Sequence, residues 1–256
     1  MTIPRSTIKA KLKEIEEKEQ VRVLYAVESG SRGWGFESKN SDYDIRFIYV
    51  HSSDWYLSIN DKRDVIEVLL SQQLDISGWD IKKALQLFQK SNPPLYEWLT
   101  SPIVYVEQGN FAQRLRLLMP SFYSPISCLN HYLHMAKGNY REYLQSEKVR
   151  VKKYFYVLRP ILACMWIEKH QTMPPMEFEK VFRSQKLDKN LADQIQKLYI
   201  RKKSSKELDI EDRIEAINDF LEEKIKYFEE NAKKFSPSQS KNENSLDELF
   251  RDILNE

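Results

Sequence analysis

The sequence predicts an α+β chain: a small mixed sheet with helices on one side, followed by an α-helical domain. Three observations predict it. Short apolar runs, at residues 21–27, 45–50 and 64–70, all fall before Asn110. They are rich in Val, Ile, Leu and Tyr, which suits short, half-buried or buried strands. After Asn110 the apolar residues recur at helical spacing instead. Between the first two runs lies a turn built from Ser29, Gly30, Ser31, Gly33 and Gly35.

Taken in order, residues 7–20 read as a charged helix with Ile8, Leu12 and Ile15 on one face. Residues 21–27 form the first strand, broken by the glycines. Residues 38–42 are a polar turn, and 42–50 the second strand. Side chains alternate along a strand, so Asp42, Asp44 and Arg46 face one way and Tyr43, Ile45, Phe47 and Tyr49 the other. Residues 51–61 are a loop with room for one helical turn. Residues 64–70 form a third strand, and Leu74-Asp75-Ile76 is a short apolar segment around a single acid. Ser77 and Asp80 match a capping box, with Ser77 as the N-cap of a helix carrying Ile81, Ala84, Leu85 and Phe88. That helix stops before Pro93-Pro94. Residues 95–99 are a short helix or turn, and 103–106 an edge strand.

Helices are then expected at 111–118, ended by Pro120, at 126–144, and at 147–169, where Pro160 predicts a kink or break. Further helices fall at 176–182, 187–200 and 208–234. The domain reading is a core over 1–110, a helical domain over 111–235, a flexible linker over 236–245 and a terminal helix over 246–256. Leu246, Leu249, Phe250 and Ile253 give that last helix an apolar face for docking on the body or on a partner.

Bulk properties narrow the classes. A chain of 256 residues, 41% hydrophobic and 30% charged, is an ordinary globular protein rather than a disordered one. A net charge of +2 gives no global electrostatic argument for nucleic acid. No apolar run reaches the roughly 20 residues of a membrane span. Residues 1–20 lack the apolar segment of a signal peptide, and Cys128 and Cys164 lie far apart. A cytoplasmic protein with buried, reduced thiols is expected. The histidines at 51, 131, 134 and 170 form no ligand set. The order of Gly30, Gly33 and Gly35 is not a Rossmann fingerprint, and no Walker lysine follows.

The chemistry concentrates at the turn and the second strand. Backbone N–H groups at a glycine turn opening a helix can cradle phosphate oxygens, and the Ser31 hydroxyl can donate to one. Asp42 and Asp44 stand about 7 Å apart at Cα and offer hard oxygen ligands to a divalent cation. Arg32 and Arg46 are open to two readings, phosphate contact or ion pairing with nearby acids. On the helical side, Lys152 and Arg159 lie seven apart on one helix face. Arg159, beside Pro160 in an apolar stretch, needs a fixed partner.

Gly30-Ser31 followed by Asp42 and Asp44 on a strand resembles the DNA polymerase β-type nucleotidyltransferase superfamily. The fuller string, Gly30-Ser31-Arg32-Gly33-Trp34-Gly35 and then Ser41-Asp42-Tyr43-Asp44-Ile45-Arg46-Phe47, is similar to a narrower branch: the YcgL or RlaP nucleotidyltransferases, associated with RNA ligases. Gly78-Trp79-Asp80, Ser91-Asn92-Pro93, Glu97-Trp98-Leu99 and Leu158-Arg159-Pro160 share that likeness. The resemblance implies a minimal nucleotidyltransferase core with Mg2+, or Mn2+ in its place, as cofactor. It implies transfer of a nucleoside monophosphate from an NTP (ATP among the candidates) to a hydroxyl acceptor such as an RNA or tRNA end. Asp42 and Asp44 are then metal ligands and catalytic, joined by a third acid. Asp75 is the candidate and Glu67 its competitor, because strand register cannot be read from sequence. Gly30, Ser31, Arg32, Lys152 and Arg159 are the implied nucleotide contacts. Two other readings remain: a non-catalytic nucleotide- or RNA-binding module, and an antitoxin-like regulatory partner.

Overall fold

The computed structural model of the chain describes residues 3–71, 73–204, 210–232 and 244–256. They group into two compact units. The first takes the chain up to Gly33, Asp42–Phe122 and the C-terminal helix; the second takes Trp34–Ser41 and the helices after Phe122.

The first unit runs α1 (Arg5–Glu19), β1 (Arg22–Glu28), the one-turn α2 (Gly30–Gly33), β2 (Tyr43–Val50), the one-turn α3 (Ser53–Tyr56), β3 (Val65–Ser71), β4 (Leu74–Asp80), α4 (Ile81–Gln89), α5 (Pro93–Leu99), β5 (Val104–Glu107) and α6 (Phe111–Phe122). The strands form one sheet in the order β3-β4-β2-β1-β5. Only β2 and β4 pair in parallel, so the sheet is mixed as expected.

The β2 alternation holds: Tyr43, Ile45 and Phe47 are buried while Asp44 and Arg46 are half-buried. The buried set joins Ile8, Leu12 and Ile15 of α1 in one cluster. Phe47 closes over Gly78 of β4, where a Cβ would come within 2.3 Å of the ring. Trp79, the next residue, therefore points to the other face, and it stacks on Trp98 of α5 at 3.9 Å. The Tyr25 hydroxyl donates to the Trp98 carbonyl and accepts from Arg116 of α6. Helices thus cover both faces, where the sequence suggested one. The reason is α5: Asn92 caps it by accepting from the Leu95 N–H, and its residues 95–99 are all buried.

Local readings gave way to pairing at two further points. Ser77 is not an N-cap, because it lies in the β4 ladder opposite Arg46. Asp80 caps α4 instead, its side chain accepting from the Lys82 N–H. Pro120 does not end α6, which runs to Phe122; a proline in the last turn removes only one intrahelical bond.

The second unit holds α7 (Pro125–Tyr143), β6 (Lys148–Arg150), α8 (Val151–His170), α9 (Phe178–Arg183), α10 (Lys189–Ser204), β7 (Ile210–Asp212) and α11 (Glu215–Asn231). Helix α8 continues through Pro160 rather than breaking there. Strands β6 and β7 form an antiparallel pair that helical periodicity alone did not predict. Three residues are too few to show a period, and the partners lie far apart in the chain. Phe36, Phe155, Phe178 and Phe182 anchor this unit's core. Cys128 and Cys164 are buried thiols, not joined in a disulfide. No helix among the described residues is long and apolar enough to cross a membrane.

Of the expected linker, residues 236–243 lie outside the described residues; 244 and 245 open the last helix, α12 (Asn244–Asn255). Its Leu246, Leu249 and Ile253 are buried, Arg22 donates to the Ile253 carbonyl at 2.9 Å, and Arg114 pairs with Asp252. Its apolar face is therefore spent on the first unit. Burying three such side chains gains about 1.5–3 kcal/mol each. A chain ending before Asn244 is expected to stay folded with a melting temperature lower by several degrees, as thermal unfolding will show.

Candidate active site

The end of β1 sets the site. The Ser29 N–H donates to the Asp44 carbonyl at 2.8 Å, extending the β1–β2 register by one step. This brings Gly30 against the Asp44 side chain. Gly30 has φ +54°, and a Cβ there would lie 2.0 Å from Asp44 Oδ2. Both facts require glycine. Helix α2 then carries Ser31 and Arg32 at half-buried positions. The Arg32 guanidinium lies 3.7 Å from the Tyr43 ring centre, and its Nε donates to the Asp42 carbonyl.

Asp44 and Asp75 face each other directly across the parallel β2–β4 pair. Arg46 sits between them: Nη2 is 2.7 Å from Asp75 Oδ2 and 3.5 Å from Asp44 Oδ1. Its Nη1 donates to the Ile45 carbonyl at 3.0 Å. Burial pushes the Asp44 carboxyl above its ordinary range; Arg46 opposes this, while Asp75 and Asp42 add to it. Asp42 is exposed just before β2. Glu67 stands one strand farther from Asp44, opposite Ser77, and is exposed and paired with Arg63 at 2.5 Å. The fold therefore gathers Gly30, Asp44, Arg46 and Asp75, keeps Asp42 beside them, and leaves Glu67 outside.

Among the described residues no three His, Cys, Asp or Glu side chains form a metal-holding group. That does not conflict with Mg2+, which usually keeps several waters and takes one or two carboxylates plus substrate phosphates. The donors here are hard carboxylate oxygens, and they already share one cation, Arg46. This donor set fits a divalent ion completed by a ligand.

Sequence reasoning gave no role to Glu28. It is fully buried: Oε1 accepts the Asp44 N–H at 2.8 Å and Oε2 accepts the Tyr105 hydroxyl at 2.6 Å. It therefore pins the backbone of Asp44 from the face opposite the acids. The available signal was an acid closing an apolar run directly before a glycine turn. Burial raises the Glu28 carboxyl above its ordinary 4.5, with the two hydrogen bonds opposing. A raised folded-state value means stability present below the ordinary value is lost as pH rises through the raised one. Glu28→Gln is expected to flatten that decline in a pH series of unfolding free energies, with a change at neutral pH within about 1 kcal/mol.

In the second unit, Lys152 is half-buried on α8. Arg159 is 5% exposed, donates to the Met176 carbonyl and lies 4.5 Å from the Trp34 ring centre. The Phe178 N–H donates to the Trp34 carbonyl, and the Tyr199 hydroxyl to that of Gly35. Arg159 thus has the fixed surroundings its sequence position demanded, and it braces the later half of the glycine motif. Lys153 lies 3.5 Å from the Tyr143 ring centre.

A glycine turn packed on one strand carboxylate, with a second carboxylate in register beside it, belongs to a nucleotidyltransferase-like protein. The chain belongs to the RlaP family, the RNA repair pathway DNA polymerase beta family, whose pattern it matches over residues 5–252. It is 47% identical over 245 residues to YcgL of Bacillus subtilis (strain 168), covering 96% of this chain and 94% of that protein. A nucleotidyltransferase-like protein from Exiguobacterium sibiricum 255-15, of known crystal structure, aligns at 12% identity and a TM-score of 0.30, covering 96% of this chain and 80% of that one. The family is the one the glycine and Asp-x-Asp motifs resembled.

Proposed function

We propose that the protein transfers a nucleoside monophosphate from an NTP to a hydroxyl acceptor, with an RNA end, such as that of a tRNA, as the acceptor class. The observation that carries this reading is the in-register pair Asp44–Asp75 packed beside Gly30, in a chain of this family. Asp42, Asp44 and Asp75 would hold Mg2+ or Mn2+, which supplies charge stabilisation to the attacking and departing oxygens. The acceptor oxygen forms a bond to the α-phosphorus, the α–β anhydride bond breaks, and pyrophosphate leaves. Asp75, the more exposed acid, takes or relays the acceptor's proton. Gly30 keeps the space beside Asp44 open, while Ser31 and Arg32 donate to phosphate oxygens. Lys152 is proposed as a further phosphate contact. Arg159, given the same role by the family likeness, is proposed to act by fixing Trp34.

What speaks against the regulatory-partner reading is that Leu246, Leu249 and Ile253 of α12 are already buried. The test is incubation with each α-labelled NTP, Mg2+ and total cellular RNA. Asp75→Asn is expected to remove labelling and Glu67→Gln to retain it. The reverse pattern would reassign the third acid, and no transfer to RNA, protein or small acceptors would count against the enzyme.

A further inference from the structure

A second cavity, of about 560 Å³, opens at the far end of β2, within the first unit. His51, on its wall, lies seven residues beyond Asp44, roughly 23 Å along a strand. One mononucleotide cannot reach both places.

The floor is Tyr49. Its buried ring meets His51 edge-on at 5.5 Å and so supports that imidazole from below. One wall is flat and aromatic: His51 stacks on Trp55 at 4.1 Å and 6°. Burial, then Lys62, pushes the imidazole downward, which keeps it uncharged. Lys62 reaches over the same indole at 5.0 Å and has no carboxylate partner among the described residues. Arg63 is already neutralised by Glu67. Glu19, at the end of α1, adds acceptors on the rim.

We propose that this cavity binds one nucleotide unit, its base on the Trp55–His51 wall and its phosphate on Lys62. An aromatic face beside a cation is the arrangement that holds single-stranded nucleic acid irrespective of sequence. A cation–π contact at a partly exposed site is weak, and it yields to a charge-assisted bond to phosphate. The carboxylate of Glu19 on the rim repels a polyphosphate and welcomes sugar hydroxyls or an exocyclic amine. The unit is therefore a monophosphate or a strand phosphodiester, not the NTP. This goes beyond the transfer reaction and does not depend on it.

The test uses the full chain with metal chelated. Calorimetric titration with nucleoside 5′-monophosphates and with a short single-stranded RNA reads the affinity. Lys62→Gln and Trp55→Ala are each expected to weaken binding about ten-fold, and Asp44→Asn not at all. Binding of the monophosphates equal to that of RNA identifies a free nucleotide as the source; much tighter RNA binding identifies a strand. Lys62→Gln keeps the proposal testable if Trp55→Ala does not fold. No binding of either ligand overturns it, as does binding that Lys62→Gln leaves unchanged or that Asp44→Asn abolishes. Loss of NTP transfer without loss of this binding would sink only the catalytic reading.

Discussion

Asp44→Asn is expected to lower the proposed nucleotide transfer by at least about 10³-fold, to be measured with α-labelled NTP, Mg2+ and RNA. Asparagine keeps the shape on which Gly30 packs, where Oδ2 would lie 2.0 Å from any Cβ on that glycine. What it removes is the charge. Stability should move the other way. Burial raises the Asp44 carboxyl, and Asp75 and Asp42 add to the rise. A raised carboxyl contributes stability that is present below its ordinary value of 3.8 and lost as pH rises through the folded-state value. At neutral pH the ionised side chain is therefore a cost that asparagine does not carry. The variant should melt no lower than the parent while losing its activity, the pattern expected where a site is kept at the expense of stability. A variant that loses both would show only that Asp44 holds the fold together.

The parts of this site that could be read in advance are those that depend on one strand at a time. The alternation of Tyr43, Asp44, Ile45 and Arg46 follows from the strand period, and the glycines after Glu28 announce a break in β1. What depended on pairing could not be read. Whether Asp75 or Glu67 meets Asp44 is a matter of β2–β4 register, and a slip of one residue would turn Asp75 to the other face. Glu28 acts through Tyr105, 77 residues away in the chain. Ser77 looked like a cap because a capping box is local, but its ladder position opposite Arg46 decided otherwise. Arg46 itself offered two equal readings, phosphate contact or acid pairing. The fold shows the acid pairing.

That pairing makes Arg46 the resident counter-ion of the site. Two carboxylates on paired strands stand about 4.8 Å apart at the backbone, close enough to repel strongly when both are ionised. Arg46 Nη2 relieves this from 2.7 Å and 3.5 Å. A divalent cation seeking the same oxygens must first displace the guanidinium. The contact to Asp75 is charge-assisted and partly shielded, a class worth about 1.5–3 kcal/mol, or roughly 10–100-fold in an affinity. Arg46→Gln is therefore expected to bind Mn2+ by that factor more tightly without nucleotide, read by paramagnetic resonance titration of free Mn2+. Asp75→Asn in the same background should reverse the gain, because it removes one of the freed oxygens. Transfer by Arg46→Gln should nevertheless fall, since it removes a cation that, once displaced from the carboxylates, adds to Arg32 in offsetting the charge of the incoming phosphates. Unchanged Mn2+ affinity would mean that Arg46 and the metal do not compete, and that the carboxylates turn elsewhere to bind it.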